Sequence, residues 1–239
     1  MAPRFYLDAP LRAGSVASLS EDAAHHAIHV LRLREGEEVT LFNGRGGEYA
    51  SRIASIQRLK ISIDVLQHRA VERESPLRIT LVQGVSAGDK MDSTVRKAVE
   101  LGVAELQPVL AARSVARPKG ERADSRRAHW QKVVVAACEQ CGRNRIPEVQ
   151  PLVAVSEVRP ASGTKILLSP RAEQPFSKLA LPGSEFVLAA GPEAGFTADE
   201  EATLVNAGFL AASLGTRVLR TETAAVAALA ALNALRGDS

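Results

Sequence analysis

From Arg78 onward the chain alternates short apolar runs with helix-length stretches, and that alternation restricts it to a layered α/β fold. Arg78 to Val82, Glu105 to Leu110, Lys165 to Ser169, Glu185 to Ala190 and Phe209 to Leu214 read as strands. Asp89 to Leu101, Ser125 to Cys141 and Glu222 to Leu235 read as helices, and Thr197-Ala198-Asp199-Glu200 is a capping box that opens another. The short, continuous apolar runs suit strands buried on both faces, which predicts a mostly parallel sheet covered by helices on each side.

The first seventy or so residues follow another pattern. Ser20 is placed to cap a short helix with an apolar face of Ala23, Ala24, Ala27, Val30 and Leu31. Strand-like runs follow at Val39 to Phe42, Glu48 to Ile56 and Lys60 to Leu66, the first two joined by Asn43-Gly44-Arg45-Gly46-Gly47. Such close spacing predicts a small antiparallel β-rich domain, a candidate barrel. Gly44-x-Gly46 is not a phosphate loop, because a strand rather than a helix comes after it. The polar segment Gln67 to Pro76 reads as a linker, which divides the chain into domains 1–72 and 73–239.

Composition narrows the class. An apolar fraction of 46% suits a globular chain, and neither a signal-peptide core nor a membrane-length apolar run is present, so a soluble cytoplasmic protein is expected. Net charge is only +3, but Arg113, Arg117, Lys119, Arg122, Arg126, Arg127 and Lys132 stand against Glu121 and Asp124 alone. That stripe fits phosphate neutralisation on RNA or a solvated basic face. Cys138 and Cys141 are the whole cysteine supply, which rules out a disulfide framework. They lack a second pair for structural zinc, and two small residues on a helix face explain them better than a redox pair. His25, His26 and His29 have no acidic or thiol partner at a matching spacing, so no metal is expected and a structural or RNA-facing role is favoured.

Three loops follow strand ends in the second domain, where open α/β sheets place their ligands. They are Leu168-Ser169-Pro170-Arg171, Gly191-Pro192-Glu193-Ala194-Gly195-Phe196, and the run from Leu214 to Thr223. Their glycines permit close backbone approach to a ligand. The domain's first strand ends in Gln83-Gly84-Val85-Ser86-Ala87-Gly88, which matches neither a Walker loop nor G-x-G-x-x-G.

The G-P-E-x-G-F loop followed by L-G-x-R-V-L-R-T-E-T-A resembles the cofactor-binding end of the SPOUT methyltransferases. It is most similar to the family that methylates N3 of a uridine in 16S ribosomal RNA. His25-His26 before Val30-Leu31-Arg32, Lys97 to Gly102, and Glu139-Gln140-Cys141-Gly142-Arg143 leading to Ile146-Pro147-Glu148 extend the resemblance over nearly the whole chain. The chain departs from the family at Ala194, usually glycine, and Thr216, usually proline. An alanine is strained if its position requires positive φ.

The resemblance implies an α/β SPOUT-type C-terminal domain with a deep trefoil knot, and a small N-terminal PUA-like β-barrel that helps grip RNA. It implies S-adenosylmethionine as cofactor, a homodimer with the active site at its interface, and 16S ribosomal RNA or the small ribosomal subunit as partner. The implied cofactor contacts are Leu168, Ser169, Gly191, Pro192, Glu193, Gly195, Leu214, Gly215, Val218, Leu219, Arg220 and Thr223. Arg143 and Arg220 are candidates for stabilising the imide anion of a uracil that loses its N3 proton, with ion pairs to Glu139 and Glu222 as their structural alternatives. Arg4, His25, Arg32, Arg113, Arg122, Arg126 and Arg127 are the candidate RNA contacts. Rival readings are a SPOUT enzyme acting on transfer RNA or another nucleoside, and a non-catalytic RNA-binding assembly factor.

Overall fold

The computed structural model describes residues 2–58, 60–159 and 162–237. The chain forms two compact units, one of Met1–Glu74 with Cys138–Ile146 and one of Ser75–Ala137 with Pro147–Ser239.

The first unit contains β1 (Arg4–Tyr6), β2 (Val16–Ser18), α1 (Glu21–His25), a π-turn at His26–Val30, β3 (Glu38–Phe42), β4 (Glu48–Gln57) and β5 (Lys60–Arg69). They build a five-stranded sheet in the order β1-β3-β4-β5-β2. β1 runs parallel to β3, and the other neighbours are antiparallel. Ile61, Ile63 and Val65 alternate into a core with Phe5, Val39, Leu41 and Ile53. Gly44, Gly46 and Gly47 all take positive φ in the β3–β4 turn, where a side chain at any of them would be strained.

Three local expectations change here. Ser20 caps α1 by accepting from Ala23 N–H, but the helix lasts only to His25 before the π-turn. The wider turn shifts the side-chain register, so Ala24 and Ala27 are buried while Val30 and Leu31 are exposed. Arg32 leaves the turn with φ +56. β5 extends to Arg69, through the start of the expected linker, because β4 continues to pair with it up to Glu48 opposite Arg69.

Cys138–Ile146 is tied into this unit by specific bonds. Arg143 engages both carboxylate oxygens of Glu74, Asn144 Nδ2 donates to Val71 O at 2.6 Å, and Arg73 donates to Gly142 O at 2.9 Å. Glu139 Oε1 accepts the Tyr6 N–H at 2.9 Å.

The second unit contains β6 (Arg78–Gly84), α2 (Asp89–Glu100), β7 (Glu105–Leu110), most of α3 (Glu121–Cys141), the short β8 (Glu148–Val149) and β9 (Val153–Ala154), β10 (Thr164–Leu168), β11 (Glu185–Ala190), α4 (Ala198–Asn206), β12 (Leu210–Ala212) and α5 (Thr221–Arg236). Its seven strands are all parallel, in the order β12-β10-β11-β6-β7-β8, with β9 also on β7. From β11 every residue after Glu185 is buried, as a strand covered on both faces requires. α2 ends where Gly102, at φ +80, lets its own N–H reach Val99 O and the Val103 N–H reach Ala98 O. Thr197 and Glu200 form the expected reciprocal cap on α4. The final strand is shorter than expected, and Phe209 just before it is a buried core residue. Among the described residues no helix is long and apolar enough to cross a membrane.

Candidate functional site

β6 connects through α2 to β7 on one side, whereas β11 connects through α4 to β12 at the opposite edge. The carboxyl ends of β6 and β11 therefore flank a topological switch point, where such sheets open a crevice. The loops after β6, β10, β11 and β12 meet there.

The loop after β11 is the best fixed. Gly195 N–H closes a turn on Pro192 O at 2.8 Å, and Gly195 has φ +69. Among the described residues only Arg32 and Arg58 are non-glycines with positive φ, so Ala194 carries no backbone strain. Gly191 O accepts Thr221 Oγ1 at 2.6 Å and Gln83 Nε2 at 3.3 Å, and Gln83 Nε2 also donates to Thr221 Oγ1 at 3.1 Å. Gln83 and Thr221 are buried, so this small triangle binds three chain segments away from competing water. A Cβ on Gly84 would lie 2.4 Å from Pro192 Cδ, so the absence of a side chain at 84 is what admits the loop. Gly191 is similarly constrained, with Phe196 N 2.8 Å from its would-be Cβ.

Glu193 projects from this loop. Its Oε1 accepts the Ala87 N–H at 3.0 Å, Lys90 Nζ stands 3.5 Å away, and Oε2 is buried without a partner among the described residues. Burial pushes the carboxyl up, but the N–H groups of Ala87 and of Glu193 itself, together with Lys90, hold it below the ordinary range. It is therefore an anion at neutral pH.

The sequence-predicted cofactor residues Leu168, Gly191, Pro192, Glu193, Gly195, Val218 and Leu219 line one cleft of about 210 Å³. Ser169, Leu214 and Gly215 line an adjoining crevice that shares Leu168 and Leu219. Gly195 and Gly215 have positive φ and open space where a Cβ would point, so a ligand can approach their backbone closely. Arg220 precedes α5 and is exposed, with no ion pair to Glu222 or to any other described residue. Thr223 is exposed and outside the lining; the hydroxyl that lines the cleft is Thr221. Gln83, Gly84 and Thr221 are not among the expected cofactor contacts, although Gln83-Gly84 stands at a strand end and Thr221 falls within the third loop.

The remaining candidates divide by unit. Arg113 Nη1 donates to Ala194 O at 3.3 Å, which joins the root of the basic stripe to the cofactor-side loop. Arg122 and Arg126 are exposed on α3, whereas Arg127 is spent on Val149 O and Glu148. In the first unit Arg4 is buried, paired with Glu48 at 2.6 Å and stacked over Phe42. His25 is exposed with its ring 4.5 Å from that of His29, and Arg32 is exposed. Arg143 is buried and pairs with Glu74, not with Glu139.

Known proteins match both parts of this architecture. The RNA methyltransferase domain family matches residues 73–233, and the RNA methyltransferase PUA domain family matches residues 19–66. The ribosomal RNA small subunit methyltransferase E of Buchnera aphidicola (from Schizaphis graminum) is 34% identical over 99% of this chain and 97% of its own length. That of Bacillus subtilis is 31% identical over 92% of each. The crystal structure of the Neisseria gonorrhoeae small subunit methyltransferase E, bound to S-adenosyl methionine, aligns with TM-score 0.91 and 40% identity over 100% of this chain and 99% of that one. A Legionella pneumophila methyltransferase in complex with the same cofactor aligns with TM-score 0.96 and 35% identity over the full length of both chains. With its PUA-like first unit, parallel sheet and full-length similarity, the chain belongs to the ribosomal RNA small subunit methyltransferase E family.

Proposed function

We propose that this protein transfers a methyl group from S-adenosylmethionine to N3 of a uridine in 16S ribosomal RNA, in the cytoplasm. The observation that carries this reading is the cleft formed by the three loops, with its open glycine backbone and the unpartnered carboxylate oxygen of Glu193. These features fit S-adenosylmethionine: glycine backbone that a ligand can approach closely and an anion whose field favours a cationic group. When bound, the cofactor supplies a methyl carbon made electrophilic by the attached sulfonium, without a metal.

The chain's own task is to orient the base and to favour loss of the N3 proton to solvent water, so that N3 takes the methyl group and the neutral thioether leaves. Arg220, exposed beside the cleft residues Leu219 and Thr221, is an arginine available to an oxygen of the uracil ring, where it stabilises negative charge as the proton leaves. Arg143, buried against Glu74, serves instead as a strut of the first unit. Arg113, Arg122 and Arg126 supply phosphate contacts, and residues 1–72, with His25 and Arg32 exposed, grip the RNA while 73–239 form the catalytic domain.

The proposal includes a trefoil knot in the second unit and a homodimer with the active site at its interface.

Tritium transfer from labelled cofactor to 16S RNA or to small subunits tests the reading, followed by mapping of the modified nucleotide through its block to reverse transcription. Transfer to a single uridine is expected. Transfer to transfer RNA alone favours the rival enzyme, and binding without transfer favours an assembly factor.

A further inference from the structure

We propose that Glu193 sets the charge preference of the cleft, so that it holds the cationic sulfonium cofactor more tightly than S-adenosylhomocysteine, the neutral thioether left after methyl transfer. The inference rests on the methyltransferase reading and adds a specificity-determining residue to it.

Charge balance within the cleft carries the argument. Three charged side chains line it: Arg171, Glu193 and Glu201. Arg171 and Glu201 pair with each other at 2.8 Å, so Glu193 is the lining charge with no counter-charge in the lining itself; its partner Lys90 stands outside the lining. Its two oxygens are not equivalent. Oε1 is held by the Ala87 N–H and faces Lys90, whereas Oε2 is shielded from water and has no donor among the described residues. Because Oε2 is shielded from water, the carboxylate acts on a ligand in the cleft through its field, little screened on that side, rather than through a direct hydrogen bond. S-adenosylmethionine and S-adenosylhomocysteine differ by the sulfonium charge and one methyl group, so the anion acts mainly on that difference. Lys90 offsets part of the field, but its side chain is 44% exposed and its charge is screened by water. Arg217 lines the neighbouring crevice and is itself exposed. Glu222 also has a buried unpartnered oxygen, but it stands outside the lining.

A preference of this kind has a use in turnover. The product leaves a cleft that no longer favours it, and fresh cofactor enters against a background of product.

Calorimetric titration of the intact protein with each of the two ligands tests the inference directly. Glu193→Gln keeps an acceptor for the Ala87 N–H but removes the charge. The ratio of the S-adenosylhomocysteine Kd to the S-adenosylmethionine Kd is expected to fall about fivefold, as for unit charges several ångströms apart in a partly solvated site. Lys90→Gln removes the competing cation, and there the ratio is expected to rise. Circular dichroism melts establish that each variant is folded. Wild-type protein that binds S-adenosylmethionine, with a ratio unmoved in both folded variants, overturns the inference and leaves the methyltransferase reading standing. Wild-type protein that binds neither ligand overturns the methyltransferase reading itself.

Discussion

Replacing Thr221 with valine removes one hydroxyl and almost no volume, so it isolates the triangle that fixes the loop after β11. Two bonds are lost, Thr221 Oγ1 to Gly191 O at 2.6 Å and Gln83 Nε2 to Thr221 Oγ1 at 3.1 Å. Gln83 still reaches Gly84 O at 3.0 Å and Gly191 O at 3.3 Å, so neither Gln83 Nε2 nor the Gly191 carbonyl is wholly orphaned. With a net contribution of about 1 kcal/mol for each buried hydrogen bond, the variant is expected to lose about 2 kcal/mol. For a chain of this size that lowers Tm by about 4–8 °C. The loop also loses its shortest anchor, so cofactor affinity is expected to fall by about fivefold, in line with roughly 1 kcal/mol of added loop freedom. Thr221→Ser keeps the hydroxyl and should retain most of both quantities. Differential scanning calorimetry and cofactor titration give the two readouts. A Thr221→Val protein that melts with the wild type and binds cofactor equally well refutes the claim that this triangle holds the site.

Gly84→Ala places a methyl group against the Pro192 ring, 2.4 Å from Cδ, and the ring has little freedom to yield. The expected cost is about 1–3 kcal/mol by urea denaturation, with weaker cofactor binding. The double variant Arg122→Ala/Arg126→Ala removes two exposed cations from α3 and should lower the slope of log affinity against log salt by about 1.5 in RNA filter binding. Arg127→Ala should instead lower the melting temperature, since it breaks the bonds to Val149 O and Glu148. The carboxyl of Glu139 is pushed up by burial, against the opposing effects of Tyr6 N–H, His26 and Arg4. Its folded form therefore holds a proton that the unfolded chain, at the ordinary 4.5, releases earlier. Stability should fall as pH rises from that value through the raised one, and Glu139→Gln should remove this slope in unfolding free energy measured across pH.

What the sequence made legible were features set by near neighbours. Ser20 and the Thr197–Glu200 box are local caps, and Glu185 to Ala190 is a strand because an unbroken apolar run has few alternatives. The three loops were visible because each follows such a run and carries glycine. What stayed hidden depends on partners far along the chain. Thr221 matters because Gly191 and Gln83 meet it, and Gly84 because Pro192 packs where its side chain would be. Arg4 is expected as an RNA contact and Arg143 as a stabiliser of the uracil anion, yet both are occupied by carboxylates, Glu48 and Glu74, that no local pattern links to them. The π-turn after His25 was also hidden. Its apolar spacing suits an ordinary helix, whereas the wider turn is accompanied by burial of Ala24 and Ala27 in the core.

The return of Cys138–Ile146 to the first unit has a consequence for the order of events during synthesis. A growing chain released up to Glu74 lacks the residues that meet Val71, Arg73, Glu74 and the Tyr6 N–H. At ordinary translation rates of about 5–20 residues per second, several seconds separate the emergence of the sheet from the arrival of its last segment. During that interval Arg4 and Glu48 can pair, but the Asn144 contact to Arg4 is missing. The amino-terminal unit is therefore completed only after much of the second unit's chain has emerged, and a fragment ending at the apparent linker would be made without its final brace.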